Sequence, residues 1–104
     1  MVNYQVRFTS QANKDKKLVK QAGLEEKARE LLKILMFNPF QNPPPYEKLV
    51  GNLGKFYSRR INVQHRLVYE VIDKNEGVID VNGNVYKGYI KVIRMWSHYD
   101  AIRK

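Results

Sequence analysis

Hydrophobic residues alternate with polar ones at the start of the chain. Tyr4, Val6 and Phe8 have the period of two that is typical of a half-buried strand, which we predict over residues 3–8. Residues 11–22 come next, rich in lysine and with few apolar positions, and their spacing predicts a short helix. Such a helix depends on packing against the rest of the protein for its stability.

Thr9 or Ser10 can cap this first helix, and Gly23 stands at its end, where it can adopt a left-handed conformation. A stronger helical pattern follows. Apolar residues then recur with the spacing of one helix face, and they are Leu24, Ala28, Leu31, Leu32 and Leu35. We therefore predict a second helix over residues 24–37, which Pro39 stops because proline disfavours helical geometry in the residue before it.

Strand and turn patterns dominate the second half of the chain. All 4 prolines lie between residues 39 and 45, a stretch that stiffens into an extended conformation and leads to Glu47. Strands are predicted over residues 55–62, 66–73, 78–81 and 85–97, with a turn over 73–77 and a type I′ turn at Asn82-Gly83.

With the short strand 78–81 counted as part of the hairpin extension, the order of these elements is β-α-α-β-β-β, which predicts the fold class. Helices that precede an antiparallel run of strands give an α+β fold, with two N-terminal helices packed on one face of a twisted, mainly antiparallel sheet. An extended hairpin precedes the last strand. The other face of the sheet is left free for function.

Length and charge then narrow the functions. The 104 residues fit a single domain, residues 1–104, and 19 Lys and Arg against 10 Asp and Glu give a net charge of +9. Such a positive field is typical of phosphate binding, which favours nucleic acid or an acidic protein as partner. The absence of cysteine excludes disulfides and thiolate metal sites. Because no apolar stretch is long enough to span a bilayer, we expect a soluble cytoplasmic protein with no membrane partner.

Two segments, residues 45–69 and 96–99, carry residues suited to cleaving RNA without a metal ion. The reaction needs a base for the 2′-hydroxyl proton, positive charge at the phosphate and an acid for the 5′-oxygen. A carboxylate or histidine can be the base, arginine suits the phosphate and histidine suits the acid. These residue types are present as Glu47, several arginines and His98, although a carboxylate such as Glu47, taken alone, is more often an ordinary surface residue.

Alternation along the strands sorts some of these residues by face. Leu67 and Tyr69 make the better core set, so Arg66 is predicted on the open face. Arg59 and Arg60 are adjacent and therefore lie on opposite faces. An ordinary solvated position at the sheet edge stays an alternative for one of them. On the last strand both sets are mixed, and periodicity does not settle which face His98 joins.

No metal site or cofactor is expected. The 2 histidines, His65 in a predicted turn and His98 near the end of the chain, have neither of the short spacings of a histidine metal site. Gly51 and Gly54 fit neither pattern of a phosphate-binding glycine loop.

Four short motifs stand out in this region. They are Tyr46-Glu47-Lys48-Leu49 after Pro45, Ser58-Arg59-Arg60-Ile61, His65-Arg66-Leu67-Val68-Tyr69 and the late pair His98-Tyr99. Together they resemble the Txe/YoeB toxins of the RelE/ParE superfamily. The likeness covers nearly the whole chain apart from residues 75–88.

This resemblance implies a ribosome-dependent endoribonuclease of a toxin-antitoxin pair, which cuts mRNA on the ribosome and is neutralised by a YefM-like acidic antitoxin. It implies Glu47 as general base, Arg66 as the residue that stabilises the phosphate, and His98 as general acid. The predicted RNA contacts are Arg59, Arg60, Tyr99 and Lys48. A homodimer is compatible with the resemblance.

The chain departs from the family pattern in three places. Residues 100–104 follow the His98-Tyr99 pair, which usually closes the chain, and residues 75–88 enlarge the hairpin before the last strand. Val50 stands where familiar members carry a lysine, a contact that Lys48 would have to replace. Two other functions stay open: a ParE-like toxin that inhibits a protein such as gyrase, and an RNA-binding module without catalysis.

Overall fold

The computed structural model describes residues 3–51 and 54–98, with side chains as far as Trp96. The elements in chain order are β1 (Tyr4–Phe8), α1 (Ser10–Gln21), α2 (Glu25–Phe37), β2 (Tyr46–Lys48), β3 (Tyr57–Arg60), β4 (His65–Ile79) and β5 (Val85–His98). Among these residues, neither helix is both long and apolar enough to cross a membrane.

The strands form one mixed sheet in the order β1-β5-β4-β3-β2. β1 runs parallel to β5, and the other neighbours are antiparallel. Both helices pack their apolar faces against one side of this sheet, where Leu31 and Leu35 of α2 and Val19 of α1 are buried. The predicted α+β class and the two-helix layer are confirmed.

The ends of the first helix follow the local chemistry. The Thr9 hydroxyl accepts a hydrogen bond from the Ala12 amide at 3.1 Å, so Thr9 is the cap. Gly23 has a φ of 74°, a left-handed conformation that costs glycine little and lets the chain turn into α2. Both features agree with the predictions.

The predicted strands over 66–73 and 78–81 are one continuous strand, β4, so the predicted turn over 73–77 is wrong. Asp73 pairs with Gly88 and Val78 pairs with Tyr86, which leaves residues 74–77 of β4 opposite Lys87 alone. The polar sequence therefore forms a large bulge, and the hairpin continues beyond it.

The type I′ turn predicted at Asn82-Gly83 is also wrong. That turn needs positive φ at both residues, whereas Gly83 has a φ of 84° and no described non-glycine residue has a positive φ. The Asp80 carboxylate accepts hydrogen bonds from the amides of Asn82 and Asn84 at 2.9 and 3.0 Å. This side chain stabilises a longer loop in place of the two-residue turn.

β5 changes the phase of its alternation part way along the sheet. Ile90 and Val92 are buried, and the next buried residue is Met95 rather than residue 94. Register shifts in the pairing with β4 near Val68 account for the change, since a bulge adds one residue to one strand. Periodicity could not assign the faces of β5 because the period itself is interrupted.

A buried carboxylate connects α1 to this bulged part of β5. Asp15 is 0% exposed and accepts hydrogen bonds from Arg94 Nε at 2.7 Å, from the Met95 amide at 3.0 Å and from Gln11. Burial alone raises the pKa of Asp15, but the hydrogen bonds from Arg94, Met95 and Gln11 outweigh it and leave the pKa below its ordinary value. The charged form is therefore the one that stabilises the fold.

We expect Asp15→Asn to lower the free energy of unfolding by about 2 kcal/mol near neutral pH. A group with a lowered pKa contributes fully above its unfolded pKa and loses that contribution as the pH falls through the folded pKa. The difference between wild type and variant should therefore shrink in acid, below about pH 4. Urea unfolding at a series of pH values measures it, and a difference that grows in acid would contradict this role.

Candidate functional site

Glu47 and Arg66 meet on the face of the sheet that the helices leave uncovered. Glu47 pairs with Ser58 across β2 and β3, and Ser58 pairs with Val68 two residues after Arg66. Directly opposite residues share a face, so these side chains lie on one side of the sheet. Leu67 and Tyr69 lie on the other side, in the core, as alternation predicts.

The two members of this pair differ in their exposure to solvent. Arg66 Nη2 lies 3.6 Å from Glu47 Oε2, and the Arg66 side chain is 8% exposed while that of Glu47 is 37% exposed. Arg66 Nε donates a hydrogen bond to the buried Ser58 hydroxyl at 3.0 Å, which fixes the orientation of the guanidinium. Because Glu47 is partly solvated, the ion pair adds little to stability. The pair thus places a desolvated guanidinium beside an accessible carboxylate.

A cleft of about 720 Å³ opens next to this pair. The segment from Arg60 to Val63 and the end of the proline stretch form its walls, and Lys27 of α2 reaches it from the helix layer. Arg60 and Lys27 are both exposed. The cleft therefore holds three cationic side chains, counting Arg66, around one carboxylate, which suits a polyanionic ligand.

Arg59 has a different role from the one predicted. It is 0% exposed, and its guanidinium donates hydrogen bonds to the backbone carbonyls of Pro44, Pro39 and Gln41 at 2.6, 2.9 and 2.8 Å. Pairing with Leu67 places it on the core side of β3. The prediction of Arg59 as an RNA contact is wrong, because the side chain is buried and both of its terminal nitrogens donate to the proline segment.

Arg59 and its neighbours hold the proline segment in place. The Tyr69 hydroxyl donates to the Pro39 carbonyl at 2.8 Å, and burial raises the pKa of Tyr69 to about 12, so this donor keeps its proton. The Tyr46 ring lies 5.1 Å from the Arg59 guanidinium. We call Arg59 and Tyr69 the proline clamp. It fixes the residues that lead directly into β2 and hence into Glu47.

Lys48 does not join the cleft. It follows Glu47 on β2 and pairs with Tyr57, so its side chain lies on the opposite face of the sheet from Glu47. Lys48 is exposed but is not among the residues that line the cleft, and its contact with RNA stays a prediction. Alternation along β2 would have separated the two residues, but three residues are too few for a strand to be recognised from its sequence.

His65 opens β4 instead of lying in a turn. It is 5% exposed, and its ring stacks on Trp96 of β5 with 3.6 Å between centroids. The Cα atoms of His65 and His98 are partners across these strands, and Ser97 is the partner of Arg66. The backbone of His98 is thus next to the strand that carries Arg66. The His98 imidazole and all of Tyr99 lie outside the described parts of the chain.

Two residues of the site were not predicted. Ser58 orients Arg66, and Lys27 supplies a cation from α2. The signal for Ser58 was the hairpin spacing between the S-R-R-I and H-R-L-V-Y motifs, which pairs the two strands. Nothing in the spacing of α2 distinguishes Lys27 from the other exposed lysines of the chain.

Comparison with known proteins gives a consistent result. The family model for the YoeB-like toxin of bacterial type II toxin-antitoxin systems matches residues 7–99. A toxin YoeB of Synechocystis is 41% identical over 61 residues, which cover 59% of this chain and 64% of that protein. The chain thus spans less than two thirds of the length of this curated relative.

Solved structures extend the likeness over the whole fold. A chain of the heterotetrameric YoeB-YefM toxin-antitoxin complex from Staphylococcus aureus is 34% identical with a TM-score of 0.65, over 93% of this chain and 99% of that one. The YoeB/ParE toxin from Agrobacterium tumefaciens is 25% identical with a TM-score of 0.72, over 91% and 99%.

Proposed function

Because this chain belongs to the YoeB-like toxins of bacterial type II toxin-antitoxin systems, we propose that it is a ribosome-dependent endoribonuclease that cuts mRNA in the cytoplasm and blocks translation. The observation that supports this most is the desolvated Arg66 guanidinium, 3.6 Å from the accessible carboxylate of Glu47 in a basic cleft. A protein that only binds RNA has no need of a carboxylate at that position, because it repels phosphate.

The proposed reaction is an internal transfer of the phosphodiester. Glu47 takes the proton of the 2′-hydroxyl as the 2′-oxygen forms a bond to phosphorus, and Arg66 donates to the phosphoryl oxygens as their charge grows. The bond from phosphorus to the 5′-oxygen breaks, and His98 gives that oxygen a proton. The products are a 2′,3′-cyclic phosphate and a 5′-hydroxyl. Arg60, Lys27 and Tyr99 would hold the neighbouring nucleotides.

The proposed inhibitor is an acidic antitoxin. The toxin carries a net charge of +9, and the S. aureus relative is found in a complex with YefM. A partly disordered acidic segment that folds across the cleft would cover Arg60, Arg66 and Lys27 and neutralise the site. Self-association into a dimer stays a prediction.

Primer extension on messages translated in a purified system tests this function. The wild type should give new RNA ends in ribosome-bound mRNA, and His98→Ala should reduce them by about 10²-fold or more, the contribution of a general acid. Ribosome binding without new ends would show an RNA-binding module instead. Inhibition of gyrase supercoiling without RNA cleavage would show a ParE-like toxin.

A further inference from the structure

A second cationic surface lies on the same face of the sheet as the cleft, toward β1. It consists of Gln5 and Arg7 on β1 and of Tyr89 and Lys91 on β5, and we call it the outer-face patch. Gln5 pairs with Tyr89 and Arg7 pairs with Lys91, so the four side chains share one face. Ile90 and Val92 alternate with Tyr89 and Lys91 along β5, and they face the helices as part of the core.

The same register connects the patch to the cleft. Lys91 pairs with Glu70 of β4, which lies an even number of residues from Arg66 and therefore on its face. Arg7 lies two strands across the sheet from Glu70, and Glu70 lies four residues along β4 from Arg66. At about 3.3 Å per residue and about 4.8 Å per strand, the Cα atoms of Arg7 and Arg66 are roughly 16 Å apart. A dinucleotide bound at Arg66 does not reach that far, whereas a strand of several nucleotides does.

Arg7 is held in place although it is exposed. Its Nε donates a hydrogen bond to the Gln5 side-chain oxygen at 3.1 Å, and its guanidinium carbon lies 4.0 Å from the centroid of the Tyr89 ring. None of the ion pairs in the described residues involves Arg7 or Lys91. A guanidinium fixed on an aromatic ring, with no carboxylate neutralising it, is suited to a phosphate group.

We propose that the outer-face patch binds the phosphate backbone of the single-stranded RNA that continues from the Glu47–Arg66 cleft. This inference rests on the proposed function, because it takes the ligand of the cleft to be RNA. Aromatic rings with neighbouring cations are the usual contacts of proteins that bind single strands without reading their sequence. Glu70 beside Lys91 repels the same backbone and keeps the strand along β1 and β5.

Oligonucleotide length separates this site from the cleft. Cleavage-resistant 2′-O-methyl RNA is used as a dinucleotide, as a single-stranded decamer and as a duplex, and dissociation constants are measured by fluorescence anisotropy. Arg7→Ala and Lys91→Ala should each weaken binding of the decamer by about threefold to tenfold, and lower its salt slope by about 0.7, without changing binding of the dinucleotide. Glu70→Gln should tighten binding of the decamer.

Lys33→Ala is the matched control, since Lys33 is an exposed cation on α2 in the helix layer. If Lys33→Ala weakened binding of the decamer as much as Arg7→Ala does, binding would depend only on the overall charge of the protein, and the proposal would be overturned. If Arg7→Ala and Lys91→Ala weakened only the binding of the duplex, the patch would be assigned to structured RNA, and the proposal would again be overturned. A wild type that binds no decamer also overturns it, whereas failure of the proposed function is seen separately, as absence of cleavage on the ribosome.

Discussion

Replacing Glu47 by glutamine is expected to slow cleavage of ribosome-bound mRNA by about 10²-fold to 10⁴-fold, the usual contribution of a general base. Glutamine keeps the shape and the hydrogen-bonding reach of the side chain but cannot take the 2′-hydroxyl proton. Stability should hardly change, because Glu47 is 37% exposed and its ion pair with Arg66 is partly solvated. Single-turnover primer extension with the variant in excess over ribosomes measures the rate directly.

Glu30→Gln is the matched control for this variant. Glu30 is an exposed carboxylate on α2, so the change removes one negative charge without touching the site. Both variants raise the net charge equally, and any general gain in RNA affinity should be the same in both. Normal cleavage by Glu47→Gln would remove the carboxylate from the mechanism. Slow cleavage by Glu30→Gln would show that the assay responds to charge alone.

Arg59→Met is expected to have the largest effect on stability, a loss of about 3 kcal/mol or more in the free energy of unfolding. Methionine fills similar space but leaves the carbonyls of Gln41 and Pro44 without their donor inside the protein, and the Pro39 carbonyl with the Tyr69 hydroxyl alone. The proline segment would lose its attachment, and with it the position of Glu47. Urea unfolding followed by circular dichroism measures the change.

Arg60→Met provides the comparison for Arg59→Met within the same strand. Arg60 is exposed, so its removal should change stability by less than about 0.5 kcal/mol, while weakening RNA binding through the lost cation in the cleft. If Arg59→Met were as stable as wild type and merely bound RNA less well, the proline clamp would be refuted and Arg59 would return to the set of RNA contacts.

Adjacent arginines illustrate what sequence could predict about the site. Alternation correctly assigned Arg59 and Arg60 to opposite faces, but it could not say which one the core would accept. A buried arginine is costly unless several acceptors meet it. Here the acceptors are carbonyls from a segment 15 to 20 residues earlier in the chain, and only the folded structure brings them together.

The fold was more predictable than the site. The spacing of leucines in α2 and the Thr9 and Gly23 ends of α1 are local signals, and they were confirmed. β2 was missed because Tyr46–Lys48 is too short to show a period, and the bulge after Asp73 was mistaken for a turn because its residues are polar. The motifs predicted which residues could carry the chemistry of the site, whereas the strand pairing in the structure shows how these residues are arranged.

The central claim is that Glu47 and Arg66 act together on one phosphate, and a double-mutant cycle of single-turnover cleavage tests it most directly. The rates of Glu47→Ala, Arg66→Ala and the double variant are compared with wild type on the same ribosome-bound message. Each single change should cost about 10²-fold or more, and the double variant should be little slower than the slower single one, because groups that act as a unit are not additive. Cleavage at the wild-type rate by either single variant, or two losses that simply multiply, would contradict the account.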